Sequence, residues 1–437
     1  STQYADEYLH IFDPRLGGLN FSYLSGKINT DNNNLLLEAD VPQFKFGKYN
    51  FDNVKLSATG TPDLLSVHGD AYNITINDSL SIPRAAFFVD AHNDSSKVSI
   101  ISGANRNVDT ANLNALVLTY EDGIKIEVDP STFTINSKQW TIDENGELEF
   151  RSKSPASGKL VLTSGEQEVI MKTEPSSSGG DWNDLRVQLT KVNMGDFAPF
   201  FMPNNRLEGL ISGNIVVEDP NNNLKIKSDD LKTEFLRLDN DSLGEVKASL
   251  LYDNKLKQLT AKGNTLNQQN YLGFDANIYF GDPEKTKNNL IALKAKEFQL
   301  SVLERFLGDL FSDMQGYLTG DVTVSGDFSD LAVTGKGRLK DAGLKVNFTQ
   351  CFYKIKDTEV NLTPQEIDLD GWVLTDTVTG NPIYITGGIE HDAFKNMFYN
   401  LDVSTRKPST RDDANNKPVL LLNTTYSDNN QFYGKVK

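Results

Sequence analysis

The sequence predicts a mainly β protein, an antiparallel meander of repeated modules with a few short helices. Three observations carry that prediction. One ten-residue device recurs, short segments alternate apolar with polar side chains, and turn-forming residues separate those segments.

The device is clearest as Gln315-Gly316-Tyr317-Leu318-Thr319-Gly320-Asp321-Val322-Thr323-Val324. Glu208-Gly209-Leu210-Ile211-Ser212-Gly213-Asn214-Ile215-Val216-Val217 matches it position by position, and Tyr23-Leu24-Ser25-Gly26-Lys27-Ile28 is a shorter copy. Apolar-rich segments at 8–12, 197–202 and 300–311 precede the three copies, so each unit reads as a helix feeding a strand. The segments downstream of the copies also correspond: 51–56, 243–248 and 356–362 fall at comparable places.

The alternation begins with Leu35, Leu37, Ala39 and Val41 against Leu36, Glu38 and Asp40, and continues with Val54, Leu56 and Ala58. Later come Ile124, Ile126 and Val128, then Leu185, Val187 and Leu189, then Val246, Ala248 and Leu250. Val322 with Val324, and Leu344 with Val346 and Phe348, keep the same parity. A period of two with one apolar side describes a sheet with one greasy and one wet face. Turn formers at 31–34, 144–146, 219–223, 253–254 and 428–430 connect successive strands, which makes the pairing antiparallel. Ser176-Ser177-Ser178-Gly179-Gly180 reads as a flexible joint and 407–417 as a polar loop, dividing the chain into blocks 1–175, 181–313 and 314–437. Short helices are expected near 194–202 and 300–311; the latter carries Leu303, Phe306, Leu307 and Leu310 at helical spacing, with Ser301 as N-cap. Such an element packs over a sheet edge or face, or forms a lid over an apolar channel.

Composition narrows the function. Only 38% of the 437 residues are hydrophobic and the mean hydropathy is -0.42, a balance that suits a thin structure with much surface per residue. With 43 Lys+Arg against 60 Asp+Glu the net charge is -17, which works against nucleic acid and anionic membrane surfaces as partners. The single cysteine, Cys351, excludes internal disulfides. No signal peptide, apolar run of transmembrane length or initiating Met is present, so Ser1 is expected to begin a processed or excised fragment.

The residue types that carry catalysis or bind metals are scattered. His10, His68, His92 and His391 stand apart from ligand-spaced partners, so no metal, cofactor or nucleophile triad is expected. Asp239-Asn240-Asp241-Ser242-Leu243-Gly244-Glu245 lacks the central glycine and distal glutamate of a calcium loop and reads as a β-turn. Asn73-Ile74-Thr75, Asn361-Leu362-Thr363 and Asn423-Thr424-Thr425 are glycosylation-type triplets of the sort an Asn-rich β protein acquires by chance. Asp78-Ser79-Leu80, Asp109-Thr110-Ala111, Asp241-Ser242-Leu243 and Asp376-Thr377-Val378 resemble the O-glycan acceptor pattern of exported Bacteroidota proteins. The expectation is a protein that is not an enzyme.

From Gln315 onward an ordered set of landmarks resembles the TamB branch of the AsmA-like, bridge-type lipid-transfer family, the inner-membrane subunit of a translocation and assembly module in its Bacteroidota form. The residues are Gly316-x-x-x-Gly320, Val333-Thr334-Gly335-Lys336-Gly337, Asp341-Ala342-Gly343-Leu344-Lys345-Val346, Tyr353, Asp376-x-x-x-Gly380, 383–388, Ile389-x-His391-x-x-Phe394, Asn423-Thr424 and Phe432-Tyr433-Gly434. Upstream, the copies around Gly213 and Gly26 agree. The resemblance implies an elongated antiparallel sheet curled into an open, solenoid-like trough, apolar within. It implies a periplasmic location, an inner-membrane anchor outside this segment, and an outer-membrane barrel partner of the TamA/BamA-like class.

Three functions are expected. The first is a conduit for phospholipid acyl chains supporting outer-membrane biogenesis, lined by strand parity with Val246, Leu250, Val322, Val324, Leu344, Val346, Phe348, Ile367 and Leu369. The second is a scaffold for assembling outer-membrane β-barrel proteins or autotransporters through open strand edges. The third is a closed-core sandwich or solenoid interaction protein, in which the same side chains fill an ordinary core.

Overall fold

The computed structural model describes residues 8 and 13–405, except 32, 48, 62, 78–79, 104–107, 198–205, 221, 239–240, 268–269, 309 and 393–394. Residues 9–12 and 198–202 of two expected helices, the loop 407–417, the turn 428–430 and the triplets at 78–80 and 423–425 therefore lie wholly or partly outside the described residues. The structure is 74% strand and 4% helix, and among the described residues 28 strands form one antiparallel sheet that does not close into a barrel. It divides into compact units 1–226 and 227–437.

The first unit runs β1 (Leu16–Gly18), β2 (Tyr23–Asn29), β3 (Asn34–Phe46), β4 (Tyr49–Thr61), β5 (Leu64–Asn77), β6 (Leu80–His92), β7 (Ser95–Ser102) and β8 (Val108–Tyr120). It continues through β9 (Gly123–Ile135), β10 (Lys138–Ile142), β11 (Glu147–Arg151), β12 (Ser157–Ser164), β13 (Gln167–Pro175), β14 (Asn183–Asn193), helix α1 (Met194–Phe197) and β15 (Leu207–Glu218). Sequential hairpins account for nearly all the pairing. Two strands are shared: β3 takes β2 on 34–40 and β1 on 44–46, while β9 takes β11 on 123–127 and β10 on 131–135 before β12 gathers both.

β16 (Lys225–Leu238) crosses the boundary, and the second unit continues through β17 (Asp241–Asp253), β18 (Gln258–Asn267), β19 (Asn270–Tyr279), α2 (Pro283–Thr286) and β20 (Leu290–Gln299). A 3-10 turn (Leu300–Leu303) and α3 (Glu304–Leu307) lead into β21 (Phe311–Asp327) and β22 (Asp330–Val346). Then come β23 (Cys351–Ile355), β24 (Thr358–Leu362), β25 (Glu366–Asp368), β26 (Trp372–Asp376), β27 (Pro382–Asp392) and β28 (Lys395–Ser404). Here the long β22 is shared, pairing β24 through 335–339 and β23 through 343–346; β25 and β26 extend these two branches, and β27 rejoins them.

Several strands carry a bulge at a residue with positive φ. Lys191 (φ 48), Glu297 (φ 47) and Asp341 (φ 50) sit at register shifts in β14, β20 and β22. A bulge places two residues opposite one, so it reverses the parity of the rest of the strand. In β22 the odd-numbered Leu339 and the even-numbered Ala342 share one buried cluster, with Leu344 and Val346 packed against it.

Two of the three helix-then-strand units expected from the sequence are seen among the described residues, one turn of helix leading to a Gly-x-x-x-Gly strand, and each follows a strand with a bulge that the sequence reading did not include. Lys191, α1 and β15 form one copy; Glu297, α3 and β21 form another. The second helix is shorter than 300–311. It has no side-chain N-cap, Ser301 lying inside the 3-10 turn, and β-pairing of Phe311 with Val346 claims its far end. A single uncapped turn cannot meet the nucleation cost of a helix alone; packing of Leu300, Leu303 and Leu307 on the cluster of the second unit holds it. Residues 176–180 form a tied hairpin connection between β13 and β14, where the buried Asp184 carboxylate accepts from Ser177 N, Ser177 Oγ and Trp182 Nε1.

Candidate functional site: an apolar sheet face

Residues directly opposite in antiparallel strands point to the same side of the sheet, so register shows how side chains line up across strands. In the first unit Leu37, Ala58, Val67, Val89, Val98, Ala115 and Val128 form one transverse rung from β3 to β9. The neighbouring rung reads Leu24, Ala39, Leu56, Gly69, Phe87 and Ile100. The other face is charged. Asp90, Lys97, Leu116, Glu127, Glu147, Lys159, Lys172 and Arg186 lie opposite one another in turn, and ion pairs such as Lys125 to Glu127 at 2.9 Å and Arg84 to Asp70 at 2.7 Å cross that face.

The second unit repeats the arrangement. Leu250, Ala261, Ala276, Ile291, Val324 and Val333 form a rung from β17 to β22. Beside it run Ala248, Gly263, Phe274, Leu293, Val322 and Gly335, extended by Leu362, Ile367 and Ile389. Val246 heads a third rung with Thr265, Leu272 and Ala295. The fold thus brings Val246, Leu250, Val322, Val324 and Ile367 onto one face. On the reverse, Lys294, Asp321 and Lys336 alternate in charge and the neutral Asn361 follows.

Packing splits this face into two regimes. Across the first unit the rung side chains remain partly open to solvent: Leu37 is 38% exposed and Ile100 39%, with small Ala58 shielded at 3% between larger neighbours. Among the described residues, both hydrophobic core clusters lie in the second unit. The larger, gathered where the branches of β22 rejoin, buries Ile383 (1% exposed), Ile389, Tyr353, Leu374 and Trp372, whose Nε1 donates to Glu359 O at 3.2 Å. Leu369 belongs to that core, and Leu344, Val346 and Ile367 pack against it. Phe348 lies in the turn 347–350 after β22 and is exposed, so parity was the wrong guide there. A smaller cluster, Ala295, Phe298 and Val302 with Leu243 and Leu272, caps one end of the rungs where the 3-10 turn leans on them.

No matching family model, curated relative or solved structure was found for the chain.

The polar groups at this face's margins have structural partners. Asp196 in α1 is buried and accepts from Lys138 Nζ at 2.8 Å and Asn136 Nδ2 at 3.2 Å, which docks the tip of the β9–β10 hairpin beside Trp140. Asp376 is likewise buried and accepts from Val378 N and Thr379 N, closing the turn after β26. Burial, and then Cys351, pushes the Tyr353 phenol upward. His68 lies on the charged face, stacked on Phe88 at 4.5 Å and bonded to Asp70 at 3.1 Å. Among the described residues no three His, Cys, Asp or Glu side chains converge to hold a metal, and no helix is long and apolar enough to cross a membrane.

Sequence parity missed two things that shape the face. The bulges are signalled by a break in the apolar alternation, as in Leu189-Thr190-Lys191-Val192, where Val192 is buried. The glycines standing on rungs, Gly69 and Gly263 among them, are signalled only by a bulky residue on the paired strand.

Proposed function

We propose that this chain is a hydrophobic conduit for phospholipid acyl chains in the periplasm, working between inner and outer membranes. The observation that supports it most is the register. Aliphatic side chains succeed one another strand after strand on one face of each unit, incompletely covered, while the charged rungs lie on the other face.

Apolar surface left in water costs about 25 cal/mol per Å², and a guest chain would remove that cost. Burying about ten methylenes against the face corresponds to about 8 kcal/mol. With no charged group on these rungs, the contact has no preferred register along the chain, so movement is sliding and no bond is made or broken. In this reading the partner is an outer-membrane barrel of the TamA/BamA-like class, as the resemblance to the TamB branch implies. The packed cluster beyond β22 is then a structural end to the open face.

A scaffold role for outer-membrane β-barrel proteins is the second reading. It draws on β28, which exposes Phe398 (68%) and Val403 (45%) at a strand that pairs, among the described residues, with β27.

The test is mass spectrometry of lipids retained by the purified chain, joined to photo-crosslinkers in cells at Leu250 and Val324 and, as a control on the charged face, at Lys336. Lipid adducts at the first two and not at the third are expected. Protein adducts alone, or no adduct while the control chain folds normally, would overturn the conduit.

A further inference from the structure

Large side chains on the apolar face lie down onto glycines. Gly69 stands directly opposite Phe87, and a Cβ added there would meet Phe87 Cε1 at 2.1 Å and Cζ at 2.2 Å. No backbone atom is among its three nearest neighbours, and its φ is not left-handed, so the ring is what requires glycine here. The same seat recurs. Leu37 Cδ2 would stand 3.1 Å from a Cβ on its partner Gly26, while at Gly263 and Gly158 the partners' Phe274 Cζ and Leu148 Cδ2, each at 2.8 Å, share the close approach with backbone oxygens of Lys247 at 2.2 Å and Glu147 at 2.4 Å.

Flattening matters because of what an upright ring would do. Two protein layers pack about 10 Å apart by interdigitating upright side chains, and a docked helix sets its ridges into grooves of comparable relief. Rungs whose bulkiest members recline offer neither knobs nor holes. They offer a shallow, charge-free floor that suits a thin, flexible chain.

We propose that the glycine seats, Gly69 beneath Phe87 above all, are specificity-determining positions that keep this face open to a linear acyl chain. The inference rests on the conduit reading and adds a residue-level cause to it. Replacing Gly69 with Ala lifts the ring into the guest's path. The sheet survives, because the displaced atoms are the far end of a side chain that can rotate.

The experiment uses the full chain with a photo-crosslinking residue at Ile100, which is paired with Phe87, or at Leu250 in the other unit. It is incubated with vesicles of palmitoyl-oleoyl phosphatidylcholine, whose headgroup carries no net charge. Lipid capture at Ile100 is expected to fall at least about fivefold in Gly69→Ala, the factor that mild overpacking implies, and to return in Gly69→Ala with Phe87→Ala. Capture at Leu250 stays constant in all three proteins. Equal capture at Ile100 in the wild type and Gly69→Ala overturns the seat inference and leaves the conduit standing. Failure of the double variant to recover, with unchanged circular dichroism, also overturns it, since the loss would then not come from the ring. Absence of lipid at both positions in the wild type overturns the conduit itself.

Discussion

Truncating one aliphatic side chain in each packing regime separates a filled core from an open face. Ile383 is 1% exposed and enclosed by Trp372, Leu374, Ile385 and Ile389. Ile383→Ala removes three carbons from a site that can collapse little, and cavity-forming changes of this kind cost about 2–5 kcal/mol. Ile291, on the rung between Ala276 and Val324, is half-buried and belongs to neither packed cluster of the described residues. Its truncation forfeits part of the transfer term and leaves no cavity, so about 1 kcal/mol is expected. Since two units need not unfold together, native-state hydrogen exchange of the strands concerned is the suitable measurement. Amides of β27 should lose protection by one and a half to a few powers of ten in the first variant, about tenfold or less being lost by β20 in the second. Equal losses at the two sites would mean that Ile291 is enclosed as Ile383 is, and the distinction between open and filled regions would fall.

Deleting Asp341 removes the extra residue of the β22 bulge, so Leu344 and Val346 should turn toward the opposite face; a cysteine placed at 344 would then change from shielded to rapidly alkylated. Val324→Asp should fold normally and lose lipid capture, whereas Val346→Asp, aimed at the packed cluster, should lose protection in β22 and β23 by exchange. Asp327 has its carboxyl held down at about 2, first by the Ser329 hydroxyl and then by the Thr286 hydroxyl, tying the β21–β22 turn to α2. Because the folded value lies below the ordinary 3.8, the stabilisation is complete above that value and is lost as pH falls from about 4 to about 2. Asp327→Asn should therefore flatten the acid limb of the melting-temperature profile in that window, and an unaltered limb would contradict the assignment.

Much of the local structure is legible in the residues because each strand carries its own period. Val246, Leu250, Val322 and Val324 are found on one face because nothing interrupts the alternation between them and their partners. Leu344 and Val346 share a face with Val333 only through the Asp341 bulge, which a fixed period of two cannot represent. Whether a nominated side chain meets solvent or another side chain is a long-range matter. Leu369 is enclosed because the two branches of β22 rejoin at β27, and no local pattern announces that return. The helix over 300–311 was legible as an apolar stripe, but its length was decided by the competing pull of Phe311 into β21.

Neighbours in the sheet are mostly neighbours in the chain, and this has a bearing on how such a molecule can change size. Inserting or removing one hairpin would move the adjoining strands as blocks and leave their mutual registers untouched. Each hairpin gained or lost would alter the extent of the greasy surface by about 10 Å, so that surface could be lengthened or shortened in whole steps without redesigning the strands on either side.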